Sequence, residues 1–268
     1  MGKKVTLVGD GPQAAVWARR LAGAEVSVVG RAQSADIPAG DIAVLLGDPE
    51  ETGTHAELLR RNLSWVRAAA AGLGRRCPDC RLVVAARPVN ALVVAALCAA
   101  GGLARHKVLG AAGAADAARA ARLLAQALGV TEPEVRALAW GGCGEYLSIL
   151  PRFCSVGGLP VEELLCREEL DRIIARSRAG ASADELAAAA AALAAAMLSG
   201  VRRVASCSVL LEGEYGVDGV ALTVPAVLGP DGIERVLQLN LKVAERAALQ
   251  KAAGAGRALL ALSEGVLP

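Results

Sequence analysis

Aromatic residues are scarce: three Trp, two Tyr and one Phe in 268 residues. So few rings cannot form a base-stacking platform or an interfacial belt. An excess of one charge is also missing, because 29 Lys and Arg face 27 Asp and Glu and leave a formal net charge of +2. Nucleic acid is excluded as a partner on that balance. Unbroken apolar runs of membrane-spanning length are absent too. The nearest approach, Leu82 to Ala104, carries Arg87, Pro88 and Asn90 near its start, and the alanine run from Ala187 to Met197 is about half a span. No membrane partner is expected. The N-terminus, MGKKVTLVGDG, passes straight into strand-like alternation without a signal-type core, and the seven cysteines are an odd number. The expected setting is the cytoplasm, with the thiols reduced.

What is present is a large apolar fraction, 54%, enough to bury one large core or two small ones. Up to Ala137, short β-branched runs alternate with helical patterns. KVTLV (4–8), EVSVV (25–29), IAVLL (42–46), LVVAA (82–86) and KVLG (107–110) are near-continuously apolar, as strands buried on both faces are. Between them 12–22, 55–74, 91–101 and 114–128 carry apolar residues at helical spacing. The reading is an α/β, Rossmann-type parallel sheet over residues 1–137. One crossover unit is reduced, because twelve residues between Val29 and Ile42 are too few for a helix with its turns. From 138 to 268 the character changes to helical patterns at 146–156, 161–178 and 183–199, strand runs at 204–211 and 219–229, and a last helix at 243–262. That predicts a second, α+β domain.

Directly after the first run stands Gly9-Asp10-Gly11-Pro12-Gln13-Ala14, a GxGxxA pattern opening a helix. Glycines at Gly9 and Gly11 and the small Ala14 let a backbone approach a pyrophosphate resting on the helix N-terminus. The acid that would bind a ribose 2′-hydroxyl after the second strand is replaced by Gly30 and Arg31. An arginine there suits a 2′-phosphate, so NADP(H) is expected ahead of NAD(H). The alternative is that no cofactor binds, since Asp10 puts a carboxylate inside the phosphate loop.

Several motifs together resemble the lactate and malate dehydrogenase family. VLGAAGAADAAR (108–119) resembles its Leu-Asp-x-x-Arg segment, WGGCGE (140–145) its Gly-Gly-His-Gly-Asp, and RFCSVGGLPVEEL (152–164) the helix that follows. LLEGEYGVDGVALTVPAVLGPDGIERVLQLNL (210–241) is similar to its C-terminal antiparallel region. CPDCRLVVAARPVN (77–90) resembles a strand end reading Thr-Asn-Pro-Val-Asp, and DIAVLLGDPEETG (41–53) the loop before its mobile arginines. The resemblance implies the family's fold and an oxidoreductase ancestry. It adds Gly47 to Gly9, Gly11, Ala14 and Arg31 as candidate cofactor contacts, and it implies a small anionic ligand held by Arg119.

The same resemblance places Cys143 where the family carries its proton-transferring histidine. A thiol with an ordinary pKa near 8.5 is a poorer base than imidazole at neutral pH. Asp116 and Arg119 match the family's Asp and carboxylate-binding Arg, three residues apart on one helical face. Without the histidine, an Asp116–Arg119 ion pair is the expected arrangement. Glu50, Glu51 and either His55 or Ala56 stand where the family has basic loop residues, and Arg87 where it has Asn. The short link after Val29 implies a lost helix and strand at a subunit interface. About ten residues are also missing between Arg178 and the alanine helix, implying a lost pocket wall. The function expected is therefore an NAD(P)-dependent oxidoreductase by ancestry, its 2-hydroxy-acid site altered or lost, with Cys143, Asp116, Arg119 and Glu145 as candidate catalytic residues. The alternative is a non-catalytic binding, regulatory or assembly protein. A homo-oligomer or another protein partner is expected in either case.

Two other features are read conservatively. Cys77 and Cys80 form a CPDC motif, but no second pair completes a zinc set and the motif precedes a strand, so small residues at a helix-to-strand turn are the expected role. His55 is the better candidate partner for Cys143, His106 being an ordinary surface residue before a strand.

Overall fold

The computed structural model describes residues 3–10, 17, 21 and 24–262. Its first half contains β1 (Lys4–Val8), β2 (Glu25–Val29), β3 (Ile42–Leu46), α1 (His55–Arg76), β4 (Arg81–Ala85), α2 (Val89–Ala100), β5 (Val108–Gly110) and α3 (Ala112–Leu128). β1 to β5 pair in parallel in the order β2-β1-β3-β4-β5. The five strand runs thus lie where periodicity puts them, and three of the four crossover helices do too. The expected helix at 12–22, together with Gly11 and Ala14, falls outside the described residues apart from Trp17, which is helical, and Leu21.

The short link after β2 makes one 3-10 turn, Arg31–Asp36. It docks on α1 because Gly72 is bare there: a Cβ at that glycine would meet the Ala35 carbonyl oxygen at 2.4 Å. Ile37 is buried behind the turn, and Arg76 Nη1 pairs with Asp36 at 3.0 Å. β2 is left as the sheet edge, with Val28 exposed. α1 starts sharply because Thr54 and Glu57 form a reciprocal capping box. α2 is buried along most of its length, which accounts for the apolar run that interrupts neither strand nor helix with charge.

The second half contains β6 (Val135–Arg136), β7 (Ala139–Gly141), β8 (Leu147–Ile149), β9 (Ser155–Val156), β10 (Leu159–Pro160), α4 (Arg167–Ser177), α5 (Ala183–Ser199), β11 (Arg203–Glu212), β12 (Asp218–Gly229), β13 (Gly232–Val236) and α6 (Val243–Ala261). The helical reading of 146–156, and of the segment from Arg152 to Leu164, is corrected. Pro151 and the left-handed Gly157 and Gly158 break the stretch, which forms short strands and 3-10 turns. Only 167–177 of the 161–178 pattern is α-helix.

β11 and β12 form a long antiparallel hairpin that extends the main sheet through β5 and on to β7 and β8. The joint is the pair Gly110–Ser208. A Cβ at Gly110 would lie 2.7 Å from Ser208 Cβ, and one at Gly113 would lie 2.8 Å from the Ser206 carbonyl oxygen. Ala139 N–H donates to Ser206 Oγ at 3.2 Å, tying β7 to the same place. The main core therefore spans both halves, from Val5 to Leu260, and a smaller second cluster lies between α3 and α4.

Gly113→Val should overpack this joint and cost about 1–3 kcal/mol, read as a lower urea midpoint. Gly254→Ala, on the exposed side of α6 with nothing within 4 Å of the added methyl, should instead leave stability unchanged or raise it by up to about 1 kcal/mol, read as an equal or higher midpoint. Equal effects at both positions would contradict the packing account.

Candidate active site

A cavity of about 460 Å³ opens beside the C-terminal ends of β4 and β5. Five stretches of chain build its wall: His55 at the start of α1, Arg87 to Val89 between β4 and α2, Asp116 and Arg119 on α3, Cys143 and Gly144 after β7, and residues 179–182 leading into α5. The shortened link between α4 and α5 thus still supplies a wall, contrary to the expectation that it was lost. The peptide between Arg87 and Pro88 is cis.

Arg119 does not pair with Asp116. Its guanidinium donates to the carboxylate of Glu185 on α5, and Arg122 Nη2 donates to the other oxygen at 2.6 Å. Ser182 N–H, at the cap of α5, donates to Glu185 as well, at 2.8 Å. Burial, which opposes ionisation of Glu185, is outweighed by these donors, and its carboxyl falls to about 2. Two guanidiniums sharing one carboxylate leave this side of the cavity with one positive charge.

Asp116 is left alone: it is buried and has no ion pair within 4 Å among the described residues. Burial raises its carboxyl to about 7, Arg119 opposing and Glu185 reinforcing the shift. Cys143 moves the other way from usefulness as a base. Burial first, then the Asp116 carboxylate, push its thiol up to about 12. It is protonated across the physiological range. His55 faces both Arg87 and Gly144: burial and the Arg87 charge lower its pKa, and a Cβ on Gly144 would lie 3.9 Å from His55 Cε1. Both effects favour the neutral imidazole.

The remaining candidates lie elsewhere. Glu145 is exposed on a single 3-10 turn beside the Tyr146 hydroxyl and takes no part in the cavity wall. Glu51 is buried, but its Oε2 accepts from Asn62 Nδ2 at 3.0 Å and its carbonyl accepts from Arg87 Nη2. Neither Glu50 nor Glu51 lines the cavity. Cys80 N–H donates to the Cys77 carbonyl at 2.9 Å, closing the turn between α1 and β4, and burial lifts the Cys80 thiol to about 12. All seven cysteines are free thiols, and no group of three or more His, Cys, Asp or Glu among the described residues is arranged to hold a metal. Among the described residues no helix is long and apolar enough to cross a membrane.

At the point where strand order reverses, the C-terminal ends of β1 and β3 present Gly9 and Gly47. Both are packed closely; a Cβ would meet Leu46 Cβ at 3.0 Å from Gly9 and Ala86 Cα at 3.1 Å from Gly47. Arg31 lies across this edge. Its backbone N–H donates to Asp10 Oδ1 at 2.9 Å, its Nε is 3.8 Å from Asp10 Oδ2, and its Nη1 is 3.4 Å from Asp48 Oδ2. The guanidinium also stands over the Trp65 ring, 5.5 Å from its centroid. Two carboxylates around one guanidinium give the edge a net negative charge. A net negative charge there is electrostatically unfavourable to a further phosphate. Arg31, the residue behind the expectation of NADP(H) ahead of NAD(H), is thus shared between two carboxylates.

Ser182 and Glu185 are the site residues that sequence reasoning did not single out, whereas Arg87 was noted as standing in place of the family's Asn. The Ser182–Glu185 spacing is legible as a capping box, but its meeting with Arg119 depends on how α3 and α5 pack.

Because Asp116 titrates at about 7 when folded and near 4 when unfolded, the folded state holds the extra proton between those values. Stability should then fall as pH rises through that window. Asp116→Asn removes this loss, so its stability relative to the parent chain should improve by about 2 kcal/mol or more between pH 4 and pH 8, followed by urea unfolding. An offset that stays constant with pH would contradict the assignment.

Comparison with known proteins agrees with this architecture. Residues 114–260 match the family model of the lactate/malate dehydrogenase alpha/beta C-terminal domain. Malate dehydrogenase 1 of Anaeromyxobacter dehalogenans is 36% identical over 220 residues, covering 78% of this chain and 70% of its own. The malate dehydrogenase of Salinibacter ruber superposes with a TM-score of 0.85 at 26% identity, over 97% of both chains. The Cryptosporidium parvum lactate dehydrogenase, solved with its substrate lactic acid and nicotinamide adenine dinucleotide, gives a TM-score of 0.86 at 25% identity over 99% of both chains. With its parallel sheet, its C-terminal domain and its Asp-x-x-Arg helix, this chain belongs to the lactate/malate dehydrogenase family.

Proposed function

We propose that this chain is an NAD-linked oxidoreductase acting at the alcohol or ketone carbon of a small carboxylate, with Asp116 in place of an imidazole as the group that carries the proton. The observation that supports it most is Asp116 itself: a carboxyl buried in the cavity wall, without an ion pair, whose pKa is lifted to about 7. A group poised at the working pH can both give and take a proton. Cys143 cannot share the task with its thiol at about 12, and Glu145 lies outside the cavity.

The cofactor edge fits a dinucleotide without a 2′-phosphate. Gly9 and Gly47 stand at the strand ends, and Asp10 and Asp48 offer carboxylate oxygens to ribose hydroxyls, while Arg31 keeps those charges from repelling each other. When bound, the nicotinamide supplies or accepts the hydride. The chain's own part is to hold the substrate and move the proton. Arg119, which shares Glu185 with Arg122, attracts a carboxylate; Arg87, on the neighbouring wall, polarises a carbonyl oxygen; Asp116 exchanges the proton of that oxygen. The seven free thiols suit a reducing compartment, and we place the protein in the cytoplasm.

A second reading, a binding or assembly protein without turnover, draws on one observation: the position of the family's histidine holds a thiol that does not ionise. The two readings part on NADH oxidation, measured by fluorescence with a panel of 2-oxo acids. The enzyme reading predicts turnover with a pH profile inflecting near 7, lost in Asp116→Asn and retained in Cys143→Ala. Turnover retained in Asp116→Asn and lost in Cys143→Ala would overturn the assignment, and no turnover with any acid would favour the second reading.

A further inference from the structure

A second cavity, of about 120 Å³, lies beside the first, between α2, β12 and α6. The two share His55, Pro88 and Cys143 as a common wall. The first is lined by Arg87, Asp116 and Arg119, whereas the second has no Asp, Glu, Lys or Arg in its lining. Its lining is mostly apolar, with Ala91, Val220, Leu222, Ala252 and Leu259 among it, and His55, Asn90 and Tyr146 supply its polar groups.

We infer that the substrate is a monocarboxylate with an aliphatic chain of about four carbons, its carboxylate and reacting carbon in the first cavity and its chain in the second. This rests on the reading of the first cavity as the site for a small carboxylate. Three features carry it. The volume accommodates roughly four groups of water or methylene size, at about 30 Å³ each. The lining rewards apolar atoms, each buried methylene raising affinity about three- to fourfold. A second carboxylate placed there would be desolvated with no counter-charge, which is costly. Cys143 lines both cavities, and its thiol is smaller and less polar than an imidazole would be there. Cys143 then has a use that needs no ionisation: it is the apolar sill over which the chain passes from one cavity to the other.

Ala255 marks the place to close the second cavity. It lines the cavity from α6 yet is half-exposed, so a larger side chain there is tolerated by the fold. The test is calorimetric titration of the whole chain, with and without saturating NAD+, which cannot reduce the acids, using pyruvate, 2-oxobutanoate, 2-oxopentanoate, 2-oxohexanoate, 2-oxooctanoate and oxaloacetate. Affinity is expected to rise about three- to fourfold per methylene as far as 2-oxohexanoate and then to level or fall. Oxaloacetate should bind no tighter than pyruvate. Ala255→Phe should abolish the dependence on chain length and leave pyruvate binding unchanged, with its circular dichroism and urea midpoint confirming a folded variant. Binding that is independent of chain length in the parent protein, or tightest for oxaloacetate, would overturn the inference while leaving the carboxylate site standing. Binding of none of these acids would overturn both.

Discussion

The close approach of backbone to backbone at Gly110 and Gly113 is the constraint on which the rest of the molecule depends. A mixed parallel and antiparallel sheet is common in itself, but here side chains at the joint would collide with Ser208, Ser206 and the helix packed over them. Here two glycines remove those side chains, so β5 reaches Ser208 and the start of α3 settles on Ser206 and Thr223. Everything in the cavity inherits its position from that contact. α3 carries Asp116 and Arg119, the β4–α2 junction carries Arg87, and β7 delivers Cys143 because Ala139 is tied to Ser206.

Electrostatics within the cavity follow from one displaced partnership. Glu185, capping α5 with Ser182, draws Arg119 and Arg122 to itself and is held strongly ionised. Asp116 is thereby deprived of an ion pair within a buried wall, and its carboxyl rises to neutral pH. The consequence reaches the neighbour as well, since the Asp116 charge adds to burial in keeping the Cys143 thiol protonated. A loss at residue 143 and a gain at residue 116 are two effects of the same arrangement. At the other end of the sheet the logic is reversed. Arg31 is shared by Asp10 and Asp48, which neutralises an acid in the phosphate loop and at the same time withdraws the cation that a 2′-phosphate would need.

Much of the fold was legible because its elements are strongly periodic. The buried runs at Lys4, Ile42 and Leu82, the half-exposed edge run at Glu25, and the capped helices at Thr54 and Ser182 declare themselves by spacing and by end residues alone. The stretch from Tyr146 to Leu164 did not, since its helical spacing competes with Pro151 and with glycines in left-handed conformations, and tertiary pairing decides the outcome. The site was legible by residue type and misleading by partner. Asp116 and Arg119 share a helical face, which argues for a pair, yet Glu185 lies 66 residues beyond Arg119 and no local pattern announces it. Likewise Arg31 reads as a phosphate receptor until Asp48, 17 residues on, is seen beside it.

The central claim is that this chain keeps a working dinucleotide site, now restricted at its ribose edge, in front of an altered proton relay. Calorimetric titration of the purified protein with NADH and with NADPH tests it most directly. The account predicts saturable NADH binding, with NADPH weaker by about tenfold or more, equivalent to about 1.4 kcal/mol. Tighter binding of NADPH, or no heat with either nucleotide in a folded protein, would contradict it.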